Sequence, residues 1–141
     1  MSLSVEERER FLAEPRIAAL AVSDGPDRGP LNVPIWYRYA PGGEPWVVTS
    51  ASSRKARLIE AAGRFSLMAE RLEPTVRYVS VEGPVARIVP ATDEQLWEMS
   101  RGYLPEDKAE GYMEFAKVEL GAQVSIYLEP VHWLSADMGA A

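Results

Sequence analysis

The chain lacks cysteine altogether and contains a single histidine, His132, among its 141 residues. Without cysteine there is no disulfide, no thiolate nucleophile and no cysteine-ligated iron–sulfur or zinc centre. With one histidine, a histidine-rich zinc centre is excluded within a single chain, and a catalytic histidine relay would depend on His132 alone. From the sequence we therefore assign no metal ligand and no catalytic side chain.

Long apolar stretches and an excess of positive charge are also missing. The longest charge-free apolar stretch is residues 17–23, far shorter than the roughly 20 residues of a membrane span. Residues 1–10 are rich in charge, unlike a secretory signal. The 15 Lys and Arg against 21 Asp and Glu give a net charge of −6, which disfavours nucleic-acid binding because phosphates require a basic surface. We expect a cytoplasmic protein with one domain over residues 1–141 and no membrane or nucleic-acid partner.

Glycine and proline residues divide the chain into short strands and helices. Alternating or aliphatic stretches predict six strands, at residues 16–23, 31–39, 45–50, 64–71, 75–89 and 123–133. Capping sequences and the proline at position 105 predict helices, near residues 5–13, 52–63, 92–103 and 104–121. This order indicates a mainly β, α+β fold, in which an antiparallel sheet forms a small barrel with a few short peripheral helices.

Several positions carry more specific expectations. Pro34 cannot donate to a sheet ladder, so its strand belongs at a sheet edge or a bulge. Gly83 and Pro84 predict a bulge or bend in the longest strand, of the kind that curls a sheet into a barrel. The small residues at 136–141 predict a loosely held tail. The last predicted helix has residues spaced for one buried stripe, at Tyr112, Phe115 and Val118.

Hydroxyls and cations are concentrated after Val48, where the third predicted strand meets the next helix, at Thr49, Ser53, Arg54, Lys55 and Arg57. A helix start exposes unpaired N–H groups and a partial positive charge, which together attract an anion. Cations in the first turn oppose the helix dipole, at a cost of up to about 1 kcal/mol each, and a bound anion would offset that cost. The pattern favours a phosphate site; the alternative is a solvated basic helix face that pairs weakly with Glu60 and Glu70.

The same residues belong to a longer resemblance. Thr49-x-x-x-Ser53-Arg54-Lys55-Ala56-x-x-Ile59-Glu60, followed by Arg64-x-Ser66-Leu67, resembles the flavin-phosphate segment of the pyridoxamine 5′-phosphate oxidase-like split-barrel family. Residues 33–37 (Val-Pro-Ile-Trp-Tyr) resemble the strand beside the isoalloxazine ring in that family, and residues 78–83 resemble its long barrel strand. The chain is most similar to the family's short actinobacterial-type members, which use FMN or the deazaflavin F420.

The resemblance implies one six-stranded split β-barrel domain that forms a homodimer and holds FMN or F420 at the subunit interface. Carried over to this chain, the family's phosphate contacts fall on Arg54 and Lys55, and its hydroxyl contacts fall on Thr49 and Ser53. Arg57 lies one helical turn after Arg54 and would reach the phosphate or a longer anionic tail. The other implied cofactor contacts are Val33, Pro34, Ile35, Trp36 and Tyr37, which would flank the ring, and Val48.

The implied function is that of a flavin-dependent oxidoreductase, which transfers hydride between FMN or F420 and a small organic substrate. True pyridoxamine phosphate oxidases end with an Arg-Leu-containing segment that holds the substrate phosphate; residues 131–137 lack it, so oxidation of vitamin B6 is not expected. The late aromatic residues are interpreted as core or lid packing, at Trp97, Tyr103, Tyr112 and Phe115. The alternative function is a split barrel that binds a flavin, haem or another planar ligand without turnover, with His132 as the candidate haem ligand.

Overall fold

The computed structural model describes residues 1–119 and 121–139. Within them the helices and strands follow one another as α1 (Val5–Ala13), β1 (Ala18–Val22), β2 (Leu31–Ile35), β3 (Tyr37–Arg38), β4 (Trp46–Ser50), α2 (Arg54–Ala62), β5 (Arg64–Arg71), β6 (Arg77–Pro90), α3 (Asp93–Arg101), α4 (Glu106–Glu119), β7 (Gln123–Leu128) and β8 (His132–Asp137). No helix in these two ranges has the length and apolar character needed to cross a membrane.

The long strand β6 joins the two halves of the barrel. Residues 77–84 pair antiparallel with β5, and β8 pairs with the other edge of the same stretch; from Val85 onward β6 pairs with β7 instead. The strand order is β2-β1-β5-β6-β7-β4-β3, with β8 on β6. The bend predicted at Gly83 and Pro84 falls where the partners change, and a register shift follows between Val85 and Arg87. The predicted mainly β split barrel with short helices is confirmed.

The eight strand segments correspond to the six predicted strands. The predicted strand 31–39 is interrupted at Trp36, which separates β2 from β3. The predicted strand 123–133 is interrupted around Pro130, which separates β7 from β8. Strand β2 lies at one end of the sheet order, so the prediction that Pro34 lies on an edge strand is confirmed.

The helix ends follow from local capping groups. Ser4 and Thr92 each form a complete capping box, as predicted. Ser53 is the N-cap of α2, and its side-chain oxygen accepts a hydrogen bond from the backbone N–H of Ala56. Gly63 ends the same helix with a φ of 74°, a left-handed conformation that glycine adopts without steric cost. Both ends of α2, the helix that borders the site, are therefore fixed by the local sequence.

The core lies inside the barrel, beneath α1 and α2. Alternate strand residues are buried, as a period of two requires; on β1, β5 and β6 they are Ala18, Leu20, Val22, Phe65, Leu67, Ala69, Val79 and Val81. Phe11 and Leu12 of α1 and Ile59 of α2 pack against them. Burial of each large aliphatic side chain contributes about 1.5–3 kcal/mol, so this alternation fixes the register and turns the intervening side chains outward.

The buried stripe predicted on α4 is wrong. Phe115 is 50% exposed and Val118 is 75% exposed, and Tyr112 is the member of the stripe that is partly buried. The inward face instead carries Ala109, Tyr112 and Ala116, which are also spaced three and four residues apart. Small side chains let this helix approach its neighbours closely, while large apolar ones remain outside.

The predicted loose tail is wrong for residues 136–139. Strand β8 extends to Asp137, and the N–H of Met138 donates to the carbonyl of Val76 (2.7 Å), just before β6. The small side chains indicated looseness, but backbone hydrogen bonds to the barrel hold this segment. Residues 140 and 141, the rest of that prediction, lie outside the described residues.

Candidate functional site

A cavity of about 490 Å³ lies between the barrel and the α3–α4 pair, a volume typical of small-molecule sites. Seven of the predicted cofactor contacts line it: Pro34, Ile35, Trp36, Val48, Thr49, Ser53 and Lys55. Six further lining residues were not predicted: Ile17, Ser50, Leu96, Met99, Tyr112 and Gln123. The structure therefore brings together residues from the second strand, the β4–α2 junction and the late helices.

Hydroxyl and N–H groups converge at the β4–α2 junction. The side-chain oxygens of Thr49 and Ser53 lie 3.1 Å apart, and Ser53 Oγ also accepts from the N–H of Ala56 at 3.2 Å. The N–H groups of Arg54 and Lys55 have no hydrogen-bond partner among the described residues, as expected in the first turn of a helix. This arrangement offers an anion several donors within one short segment.

The three predicted cations do not converge on the cavity. Lys55 lines it, and no carboxylate of the described residues forms an ion pair with it. Arg54 instead forms an ion pair with Asp24, which also pairs with Arg28 at 3.2 Å. Arg57 is exposed and lies outside the lining. Sequence spacing places all three cations near one helix start, but Arg54 forms its ion pair with Asp24 in the β1–β2 loop rather than facing the cavity.

Two of the five residues predicted to flank a ring lie away from the cavity. Val33 packs against the core and lines a neighbouring recess of about 520 Å³. Tyr37 is buried, and its hydroxyl lies 2.9 Å from the carbonyl oxygen of Leu12, to which it donates. Burial raises the pKa of Tyr37, so its hydroxyl stays protonated and structural. The second strand therefore presents Pro34, Ile35 and Trp36 to the cavity.

Tyr103 ties the cavity wall to the end of α3. Its ring stacks on Trp36, with centroids 4.8 Å apart and planes 4° from parallel. Its hydroxyl accepts a hydrogen bond from the N–H of Tyr37 at 3.0 Å and lies 2.7 Å from the carbonyl oxygen of the same residue. It also lies 2.9 Å from the carbonyl oxygen of Arg16. One side chain thus satisfies the backbone at the point where β2 and β3 separate.

The late helices contribute three of the lining residues that the sequence left unassigned. Leu96 and Met99 face the cavity from α3, and Tyr112 faces it from α4, with its ring 5.2 Å from that of Trp36. The interpretation of Tyr103 and Tyr112 as core or lid packing agrees with these contacts, whereas Phe115 is half exposed. A three-four spacing predicts that such residues face inward, but it does not reveal that the surface they face is a cavity.

The donors at the β4–α2 junction fit a phosphate-bearing cofactor. A phosphate accepts hydrogen bonds from hydroxyls, from N–H groups at a helix start and from an ammonium group, and Thr49, Ser53, Arg54 N–H and Lys55 supply all three. The adjacent lining of Pro34, Ile35 and Trp36 is apolar and suits a flat ring. No cluster of metal-ligating side chains occurs within the described ranges.

No protein-family model matches this chain, and no curated protein matches it, but several solved structures do. It is similar to the conserved hypothetical protein Rv2991 from Mycobacterium tuberculosis, with 26% identity and a TM-score of 0.72, over 96% of this chain and 85% of that one. An F420 reductase has 22% identity and a TM-score of 0.72, over 89% of this chain and 94% of that one. A protein of the pyridoxinephosphate oxidase family from Clostridium acetobutylicum, related to general stress protein 26, has 12% identity and a TM-score of 0.67, over 95% and 88%.

A barrel whose halves share β6, with a cavity at the β4–α2 junction, defines a split-barrel protein. The fold is that of the pyridoxamine 5′-phosphate oxidase-like split-barrel family, as the motifs at residues 33–37 and 49–67 predicted. The TM-scores of 0.67–0.72 establish the shared fold, whereas identities of 12–26% do not establish a shared reaction.

Proposed function

We propose that this protein is an oxidoreductase that binds FMN or F420 and transfers hydride to or from a small organic substrate. One observation carries the proposal: the apolar edge of β2 and the anion-binding start of α2 open into the same cavity. A flavin-type cofactor needs both surfaces, one for its ring system and one for its phosphate. The absence of cysteine from the chain fits this proposal, because redox chemistry then depends on a bound cofactor.

The phosphate end is assigned to the β4–α2 junction. Lys55 provides the positive charge, Thr49 and Ser53 provide hydroxyls, and the first N–H groups of α2 complete the donors. Arg54 would have to leave Asp24 to join them, so we assign it a secondary contact. In a chain with a net charge of −6, this local group of donors provides a favourable position for an anion.

The ring end is assigned to the end of β2 and the residue that follows it, where Pro34, Ile35 and Trp36 form the wall. The bound cofactor supplies hydride transfer through its own ring, so the chain has to orient that ring and keep water away from it. The Trp36–Tyr103 stack and the side chains of α3 and α4 can do this, because they cover the cavity with aromatic and aliphatic atoms.

We also propose a homodimer with the cofactor at the subunit interface. The pairing registers align Pro34, Ala19, Met68, Ser80 and Leu134 in one row across β2, β1, β5, β6 and β8. The row is uncharged, and it faces outward because Val79 and Val81 on either side of Ser80 are buried. Pro34 belongs both to this row and to the cavity lining, so a second subunit on this face would border the cofactor.

The dimer can be tested by charging this face. Leu134, 65% exposed in the single chain, is replaced in Leu134→Glu, with Leu72→Glu at the equally exposed β5–β6 turn as the control. We expect sedimentation to give a dimer for the unmodified protein and for Leu72→Glu, and a monomer with weakened cofactor binding for Leu134→Glu. A dimer that persists in Leu134→Glu would place the interface elsewhere.

The cofactor is tested by titrating FMN and F420 into the purified protein while following the fluorescence of each ring. Lys55→Ala should weaken binding about tenfold or more, because it removes a charge-assisted contact. Lys108→Ala removes the same charge from the exposed face of α4 and should leave binding unchanged. A lack of response to both cofactors would contradict the proposal, and equal affinities in the two variants would contradict the phosphate assignment.

A turnover assay distinguishes the proposed enzyme from the alternative, a non-catalytic carrier. Mass spectrometry of natively purified protein identifies the cofactor that it carries, and reoxidation of that cofactor by added electron acceptors reports hydride transfer. The haem version of the carrier is disfavoured, because His132 is 70% exposed and lies outside the cavity lining. A Soret band with haemin that disappears in His132→Ala would reverse that judgement.

A further inference from the structure

The cavity has a second end that the proposed cofactor contacts leave unassigned. We infer that this end, lined by Ile17, Leu96, Met99 and Tyr112 next to the ring-wall residue Trp36, binds the substrate, and that the substrate is an uncharged, flat, largely apolar molecule. The inference rests on the proposed function, because it takes the opposite end of the cavity as the site of the cofactor phosphate. What it adds is the chemical class of the substrate.

Most of the polar and most of the apolar lining residues belong to different elements. The β4–α2 junction carries Thr49, Ser50, Ser53 and Lys55, and Gln123 on β7 pairs with Ser50 at the end of β4. Apart from Val48 on β4, the apolar lining residues come instead from β2, α3, α4 and the segments that flank β1 and β3. A ligand held by its phosphate at the junction therefore has polar groups around that phosphate and apolar surface beyond it.

The apolar end has a fixed aromatic wall. Trp36 stacks in parallel on Tyr103, whose hydroxyl hydrogen bonds to the backbone of Tyr37, so the Trp36 ring rests on a side chain that is itself anchored to the barrel. Tyr112 meets Trp36 at a centroid distance of 5.2 Å and an angle of 47°, which leaves the two rings splayed rather than stacked. Aromatic surfaces held in this way favour flat rings as ligands, and the side chain of Met99 can adapt to their outline.

The charges of the lining exclude an ionic substrate. Among the described lining residues, Lys55 is the one charged side chain, and it belongs to the polar end. None of these described residues supplies a carboxylate that could receive an ammonium group. A substrate carboxylate would have to compete with the cofactor phosphate for Lys55, or else lose its hydration against apolar side chains. A neutral molecule neither competes with the phosphate for Lys55 nor loses the hydration of a charged group.

The test compares two molecules that share one ring system. Protein is first loaded with FMN, or with F420 if FMN does not bind, and loading is verified by cofactor fluorescence. Calorimetry then measures the binding of 2-naphthol, which is neutral, and of 2-naphthoate, which is an anion. We expect 2-naphthol to bind at least about tenfold more tightly. Binding of 2-naphthoate with equal or higher affinity, or no binding of 2-naphthol, would overturn the inference.

The two proposals fail in distinguishable ways. If neither cofactor loads, the proposed function is wrong and this inference falls with it. If a cofactor loads and 2-naphthol does not bind, the substrate class alone is wrong. Because this comparison uses the unmodified protein, it does not depend on whether any variant folds.

A matched pair of variants on α4 locates the binding site. Tyr112→Ala removes an aromatic side chain from the cavity wall, whereas Met113→Ala shortens the next side chain, which lines the acidic groove between α3 and α4. We expect Tyr112→Ala to weaken 2-naphthol binding about tenfold, with a smaller effect on FMN, and Met113→Ala to change neither. Equal effects of the two substitutions would show that the naphthol binds elsewhere.

Discussion

The barrel and the α3–α4 pair both border the cavity, yet they are held together differently. In the barrel, every second side chain of β1 and β5 is buried, and the paired strands fix one register. In the helical pair, the buried side chains lie outside the barrel core, and Phe115 and Val118 remain exposed; the buried ones are Leu96, Met99, Ser100, Ala109 and Ala116. Burial therefore stabilises the barrel, whereas a few specific contacts such as those of Tyr103 hold the helices. Substitutions in the barrel should mainly change stability, and substitutions in the helices should mainly change the cavity.

The sharpest test of this difference is the same substitution, glycine to alanine, in each region. A Cβ at Gly83 would lie 1.9 Å from the carbonyl oxygen of Glu129, so Gly83→Ala must displace backbone where β6 changes partners. We expect it to lower the free energy of unfolding by about 3 kcal/mol or more. A Cβ at Gly111 of α4 would meet nothing within 4 Å, so Gly111→Ala should raise it by about 0.5–1 kcal/mol. Denaturant unfolding that gives the same sign for both variants would contradict the comparison.

A valine pair tests the part played by burial. Val79 on β6 is fully buried, whereas Val118 on α4 is 75% exposed. Val79→Ala removes two methyl groups from the core and leaves a cavity, so we expect a loss of about 2–3 kcal/mol in chemical denaturation. Val118→Ala should change stability by less than about 0.5 kcal/mol. A large effect at Val118 would indicate that the outer face of α4 is covered by something in solution.

The sequence predicted the barrel more fully than the helical pair, for a physical reason. A strand period of two can be identified from a short segment, and turn residues mark its ends, so the strands around Leu20, Leu67 and Val79 were located. On α4 two stripes fit the helical period equally well. The spacing on which the prediction of Phe115 and Val118 rested also fits the stripe with the alanines, which the structure buries because small side chains permit close approach.

The candidate site divides in the same way. The hydroxyls and Lys55 at the start of α2 were predicted because they depend on local order, a strand end followed by a capped helix. The ion pair between Arg54 and Asp24 was not predicted, because the two residues are 30 positions apart in the sequence and come into contact only in the folded chain. The apolar end was missed for the same reason, because Ile17, Leu96 and Tyr112 come from three distant segments.

Tyr103 offers a way to loosen the contact between the two regions without removing a ring. Tyr103→Phe keeps the stack on Trp36 but deletes the hydroxyl that accepts from the N–H of Tyr37. A part-buried N–H then loses its partner, so we expect a loss of about 1–2 kcal/mol in denaturant unfolding and a changed Trp36 fluorescence. Tyr112→Phe is the matched control, because the Tyr112 hydroxyl makes no hydrogen bond with the described residues. Equal effects would mean that the hydroxyl of Tyr103 does not connect α3 to the barrel.

The smallest expected effect concerns a part of the barrel that is held by charge rather than by burial. Asp137 at the end of β8 accepts hydrogen bonds from Thr75 (2.7 Å), the N–H of Gly139 (2.9 Å) and Arg77 (2.9 Å). These contacts, with that from Thr75 the largest, lower the pKa of Asp137 from 3.8 to about 2. A lowered pKa means that the carboxylate stabilises the fold above pH 3.8 and loses this contribution as the pH falls towards 2. Asp137→Asn should therefore unfold earlier than the unmodified protein at about pH 5, and the two denaturation midpoints should converge as the solution is acidified. Glu114→Gln on the exposed face of α4 is the control and should show no such pH-dependent change. A difference in denaturation midpoint between Asp137→Asn and the unmodified protein that stays constant at every pH would mean that the charge at β8 does not stabilise the barrel.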